Sequence, residues 1–254
     1  MTYSIIGILA TILLLITNRE MLAPQKSEAL TKTQRDYRNF LLGIMGYLIT
    51  DMLWGILESH RLTAILYADT AVHFIAMAAA VMLWTRYVIS YLGEKTVFGI
   101  FLSYAGWFFL CFETIVVFIN FFRPILFWFD GSGAYYAGTA RYITLAIQIL
   151  LFILTSFYTL WITSKADGAV KRRHLTVGLF GIAMALCIAI QVFYPLLPFY
   201  AMGYMLGTCL LHSFVMEDEK EEYRRKENLR GEDGQALQGT EGRHQSQDQS
   251  GPLG

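Results

Sequence analysis

The sequence predicts an all-α integral membrane protein: a bundle of seven transmembrane helices with a short β-hairpin between the fourth and the fifth. Three observations predict it. The 254 residues are 55% hydrophobic and only 16% charged, against about 25% charged in soluble domains. The apolar residues gather into seven runs, most of them near the roughly 20 residues that a helix needs to cross hydrocarbon. Basic residues alternate with those runs, so that 17 of the 20 Lys and Arg fall on one side of the membrane and 3 on the other.

The first run, Tyr3–Thr17, is the shortest. No basic residue precedes it and no small-x-small cleavage site follows it, so it reads as a signal anchor rather than a removable signal peptide. The next runs are Phe40–Leu57, Leu62–Ile89, Val97–Ile119, Tyr142–Thr163, Leu175–Phe193 and Pro198–Val215. Pro195 and Pro198 break the link between the last two, because proline ends helices. The stretch Ala76–Ala80 offers small residues for close helix packing.

Orientation follows from the loops. Arg19, Lys26, Lys32, Arg35 and Arg38 lie between the first two runs, and Arg86 and Lys95 near the third loop. Lys165 and Lys171 to Arg173 lie between runs five and six, and six more basic residues follow run seven. The other side holds only Arg61, Arg123 and Arg141. Basic loops stay in the cytoplasm, which puts the N-terminus outside, the C-terminus inside, and the chain in the plasma membrane with lipid as its constant partner.

The external loop between the fourth and fifth runs, Pro124 to Gly138, carries Asp130-Gly-Ser-Gly between two aromatic β-forming stretches. That is a hairpin signal. The hairpin is expected to lie on the outer mouth of the bundle, with Trp128, Asp130, Tyr135 and Tyr136 as a candidate lid. The same aromatic residues also suit an interfacial anchor.

After residue 215 the character changes. Residues 216–230 hold eleven of the forty charged residues. Glu221 with Arg225 and Glu222 with Lys226 are spaced i,i+4, so this segment reads as a cytoplasmic helix continuing the seventh run. Residues 231–254 are rich in Gly and Gln with almost no large apolar side chain, a composition that stays disordered. The expected organisation is a membrane domain over 1–215, a signalling stalk over 216–230 and a tail over 231–254.

Ionisable and amide side chains inside apolar runs are costly and mark function. Away from the run ends they are Asp51, Asp69, His73, Glu113, Gln148 and Gln191. In the orientation above, all six fall toward the outside, and Tyr200 and Tyr204 add hydroxyls at a similar depth. Asp69 and His73 are spaced i,i+4 and share a helix face. These eight residues are the candidate ligand site, a polar pocket that opens outward and suits a small molecule. The competing reading is a hydrogen-bond network that fixes helix packing.

Several classes are excluded. A formal net charge of zero leaves no basic face for nucleic acid. Cys111, Cys187 and Cys209 sit in apolar runs without metal spacing and read as buried thiols. His60, Asp69 and His73 match no established metal-ligand spacing. The seventh run has no lysine for a retinal Schiff base, and no Walker loop, G-x-S-x-G or H-E-x-x-H occurs. No cofactor and no catalytic residue is expected.

Two stretches carry a resemblance. They are Phe127-Trp-Phe-Asp-Gly-Ser-Gly-Ala-Tyr-Tyr-Ala-Gly-Thr-Ala-Arg-Tyr142 and Leu211-His-Ser-Phe-Val-Met-Glu-Asp-Glu-Lys-Glu-Glu-Tyr-Arg224. With the seven runs, over roughly residues 1–230, the chain resembles the N-terminal sensor module of bacterial membrane-bound diguanylate cyclases, the GGDEF-domain proteins. The resemblance implies a bacterial membrane sensor that binds a small ligand outside. It implies relay through a helical stalk, with homodimerisation through that stalk, to a domain that condenses two GTP into cyclic di-GMP. This chain has no Gly-Gly-Asp-Glu-Phe, so no catalytic residue carries over, and it reads as a truncated or frameshifted product. The alternative function is a small-solute transporter or permease built on the same polar cluster. A third is a membrane-embedded enzyme with His73 as acid or base.

Overall fold

The computed structural model describes residues 2–23, 30–93, 96–164, 168–194 and 197–213. The expected stalk and tail, and the last two residues of the expected seventh run, lie outside the described residues. The compact unit Met1–His212 is an antiparallel assembly of helices. In chain order these are α1 (Thr2–Thr17), α2 (Arg19–Leu22), α3 (Lys32–Ser59), α4 (Thr63–Leu92) and α5 (Val97–Asn120). The strands β1 (Phe127–Phe129) and β2 (Tyr135–Ala137) follow, then α6 (Thr139–Thr163), α7 (Gly168–Phe193) and α8 (Phe199–Leu211). The helices α3, α4, α5, α6 and, over Val170–Phe193, α7 are long and apolar enough to cross a membrane. Two shorter apolar helices, Ser4–Thr17 and Phe199–Leu211, accompany them.

Several helices extend past the apolar runs. α3 starts at Lys32 rather than Phe40, because Thr31 and Gln34 form a reciprocal capping box. The Gln34 amide donates to Thr31 Oγ1 at 3.2 Å, and the Thr31 amide donates to Gln34 Oε1 at 3.1 Å. The polar first turns of α3 then find partners: buried Asp36 accepts from Arg86 of α4 at 3.2 Å. α4 ends at Gly93, whose φ of 66° is the left-handed cap that glycine adopts without steric cost. α7 likewise starts at Gly168, ahead of Leu175, and takes the basic cluster Lys171 to Arg173 into the helix.

Packing closes a ring. α1 lies between α3 and α8, and the ring continues α3–α4–α6–α7–α8, while α5 packs outside against α4 and α6. Aromatic side chains fill the ring. Trp84 lies 4.4 Å from Phe180 and 5.2 Å from Phe40, measured between ring centroids, and donates its indole N–H to Thr155 Oγ1 at 3.1 Å. Small residues set the closest approaches. A Cβ on Gly43 would sit 3.4 Å from the Ala80 Cα, within the small-residue stretch of α4, and one on Gly207 would collide with the Phe180 ring. Intrahelical hydroxyls such as Thr70, Thr85 and Thr208 donate to the carbonyl four residues back, which satisfies them without water.

The outward faces are apolar: Phe101, Tyr104, Phe108, Phe118, Phe157 and Leu186 are all exposed. An apolar surface this extensive is what hydrocarbon covers, and with the long apolar helices it points to a membrane-embedded protein. Cys111 also faces outward rather than into the bundle, while Cys187 and Cys209 are half-buried, and all three are free thiols.

Candidate ligand site

One end of the bundle gathers the end of α3, the start of α4, the end of α5, the hairpin and the start of α6. The chain builds this end around Asn120, the last residue of α5. Its Oδ1 accepts from the backbone amides of Leu126 and Phe127 at 2.7 and 3.3 Å, and its Nδ2 donates to the Phe127 carbonyl at 3.0 Å and to the Tyr67 hydroxyl at 3.2 Å. One amide thus fixes the entry of the hairpin. Gly138 fixes the exit, since a Cβ there would run into the Ile125 carbonyl.

The hairpin forms where its turn residues predict. β1 and β2 pair antiparallel, with Trp128 opposite Tyr136, and those two rings stack 5.6 Å apart. The Asp130 carboxylate closes the turn by accepting from the Ser132 amide at 2.9 Å, the Ser132 hydroxyl at 2.6 Å and the Ala134 amide at 2.9 Å. These bonds, led by the Ser132 hydroxyl, hold the Asp130 carboxyl below its ordinary range. Gly133 supplies the φ of 84° that the turn needs. On the bundle side Phe127 stacks on Phe74 at 5.8 Å and Tyr135 meets Trp54 edge-on at 6.1 Å.

Beneath the second strand lies a cavity of about 350 Å³. Its lining includes Tyr47, Asp51 and Trp54 of α3, His73, Phe74 and Met77 of α4, Tyr135 and Tyr136 of β2, Arg141 of α6, Gln191 of α7 and Tyr200 of α8. Four of the predicted site residues, Asp51, His73, Gln191 and Tyr200, therefore meet in one cavity, and two of the predicted lid residues form a wall of it. Trp128 and Asp130 do not line it; they hold Tyr136 through the stack and through a 3.2 Å bond from its hydroxyl to Asp130 Oδ2.

The polar groups of the lining are positioned by their neighbours. The Thr50 hydroxyl donates to the Tyr47 carbonyl at 2.8 Å, and so accepts from His73 Nδ1–H at 3.0 Å. That leaves Nε2 as the ring nitrogen able to accept from a ligand. His73 is therefore oriented by α3 and not by Asp69, the neighbour with which it shares a helix face. Gln191 Oε1 accepts from the Tyr200 amide at 2.8 Å and caps the start of α8. The Tyr47 ring lies 4.9 Å from both His73 and Tyr200, and the Tyr200 and Tyr204 hydroxyls are 3.2 Å apart.

The remaining predicted residues stand elsewhere. Tyr204 is buried a turn below Tyr200 and does not line the cavity. Glu113 is fully buried between α5 and α6, where it accepts from Thr144 Oγ1 at 2.7 Å. Gln148 is fully buried one turn beyond Thr144, and Asp69 is half-buried on α4. None of these three lines the cavity. Sequence reasoning passed over Arg141, which it used only to orient the loops, and Asn120, which sits at a helix end where polar residues are ordinary. Among the described residues no three His, Cys, Asp or Glu side chains gather to hold a metal ion.

Fold and cavity together define a helical membrane-embedded protein with a ligand-sized, mixed polar and aromatic cavity at one end. No known protein family matches the chain, and neither curated proteins nor solved structures give a match.

Proposed function

We propose that the chain is a seven-span membrane sensory module, N-terminus outside and C-terminus in the cytoplasm, that binds a small extracellular ligand in the cavity beneath the hairpin. The cavity carries this reading. Its volume of about 350 Å³ lies in the range of roughly 300–1,000 Å³ for small-molecule sites, and it combines aromatic walls with a few convergent polar groups. Below it, Tyr47, Tyr200 and Tyr204 are each no more than 1% exposed, as are Phe40 and Trp84 further down. A packed aromatic floor favours a receptor over a permeation path, which is why transport is the second reading and not the first.

Relay runs through α8. Tyr200 in its first turn lines the cavity, and the helix continues to Leu211 at the opposite end. A ligand that prefers one position of Tyr200 biases α8 relative to α7, and a two-state helix needs no more than such a differential contact. The resemblance to diguanylate cyclase sensors makes the output a cytoplasmic cyclase domain reached through residues 216–230.

The test is a fusion of residues 1–230 to an intact diguanylate cyclase domain, screened against small solutes for cyclic di-GMP output. Asp51→Asn and His73→Ala are expected to shift the half-maximal concentration of an active solute at least tenfold. Output that neither substitution changes under any solute sinks the reading. Solute uptake into proteoliposomes that both substitutions abolish would move the chain to the transporters.

A further inference from the structure

We infer that the cavity takes a small zwitterion, a molecule of the amino-acid or betaine class that carries one carboxylate and one ammonium group. The inference rests on the cavity being a ligand site and names what it holds. Arg141 lines the cavity at 7% exposure. Its guanidinium carbon lies 5.9 Å from the Tyr142 ring centroid, and it forms no ion pair among the described residues, unlike Arg86, which pairs with Asp36. A desolvated guanidinium without an anion is unfavourable, and its planar fork matches a carboxylate in two parallel hydrogen bonds. The ligand supplies that carboxylate.

Asp51, 1% exposed, lines the same cavity from α3. Tyr47 and Trp54 lie four residues before and three after it, so all three share one helix face, and all three line the cavity. A carboxylate flanked by aromatic rings attracts an ammonium group through charge and through the ring faces. The fixed charges of the site are thus one of each sign, on separate helices. A lone anion drawn to Arg141 meets the repulsion of Asp51, and a lone cation meets that of Arg141. A zwitterion gives the Arg141 guanidinium its carboxylate and places its ammonium group on the side of the Asp51 charge. The volume of about 350 Å³, at the low end for ligand sites, restricts it to a single small molecule.

The test uses the full chain in lipid nanodiscs and two matched sets of probes, read by isothermal titration. One set is L-phenylalanine, 3-phenylpropionate and 2-phenylethylamine; the other is L-leucine, 4-methylpentanoate and 3-methylbutylamine. In at least one set the zwitterion is expected to bind at least tenfold more tightly than both singly charged analogues. Arg141→Gln is expected to remove the advantage over the amine, and Asp51→Asn the advantage over the acid. Arg141→Lys, which keeps the charge without the fork, is expected to fall between and stands in if Arg141→Gln does not fold. An acid or an amine that binds as tightly as its zwitterion overturns the inference while leaving the cavity a ligand site. Failure of all six probes to bind also overturns it, and the sensor reading then stands or falls on its own solute screen.

Discussion

Asn120 shows how much one side chain can fix. Its amide meets two backbone amides, one backbone carbonyl and one hydroxyl, all between 2.7 and 3.3 Å, while 3% exposed. Asn120→Ala leaves the Leu126 and Phe127 amides without those bonds, and a buried group stripped of its partner costs about 1–3 kcal/mol. Thermal unfolding in detergent is expected to show a loss of that size, with faster hydrogen exchange at Leu126 and Phe127; an unchanged melting temperature would mean the hairpin is held by its aromatic contacts alone. The same residue marks what a sequence can disclose. Asp51, His73, Gln191 and Tyr200 are legible because a polar side chain within an apolar run stands out. Asn120 and Arg141 are not, because each sits at a helix end where polar residues are expected. Nor is the Thr50–His73 bond, since a shared helix face tells which way a side chain points but not which neighbouring helix answers it.

At the scale of elements, the apolar middle of each helix and the hairpin were readable, and the helix starts were not. Hydropathy detects only the part of a helix that meets hydrocarbon, so it misses the capped polar turn from Lys32 and the basic first turns from Gly168. The hairpin was readable because Asp130-Gly-Ser-Gly is local chemistry: the carboxylate bonds to residues two and four positions on. That chemistry predicts how the turn responds to acid. Folding lowers the Asp130 carboxyl below its ordinary value of 3.8. The turn's contribution is therefore complete above pH 3.8, declines below it, and is gone once the pH passes under the lowered folded value. Amide protection at Ser132 and Ala134 is expected to persist from neutral pH down to about pH 4 and to be lost in stronger acid, as read by hydrogen exchange. Asp130→Asn is expected to abolish that pH dependence. Loss of protection already at pH 5–6 would assign the turn's stability to another group.

At the scale of the whole molecule, the question is whether α1 and α8 add two crossings to those of the five long helices. With 16 and 13 residues they measure about 24 and 20 Å at 1.5 Å per residue, against a hydrocarbon core of about 30 Å. Their neighbours explain how such short helices fit. A Cβ on Gly55 of α3 would collide with the Ser4 hydroxyl near the start of α1, while buried Asn18, just past its end, accepts from the Tyr37 hydroxyl at 2.9 Å. α1 thus runs along α3 from residue 55 back to residue 37, the apolar stretch of that helix. Thr17 at its end meets Cys209 of α8 at 4.0 Å, so both short helices reach the same level opposite the hairpin. Seven crossings then require residues on the hairpin to face one side and the end of α8 to face the other. In a background with Cys111, Cys187 and Cys209 replaced by Ala, Ser132→Cys is expected to react with a membrane-impermeant maleimide on intact cells. Ser164→Cys and Ser213→Cys are expected to react only after permeabilisation. The two hairpin-distal sites discriminate between counts, because Ser164 follows a helix long enough to cross on its own and Ser213 follows one that is not. Labelling of Ser213→Cys on intact cells together with Ser132→Cys would show that α8 turns back within the membrane, and the relay through it would fall with the seventh span.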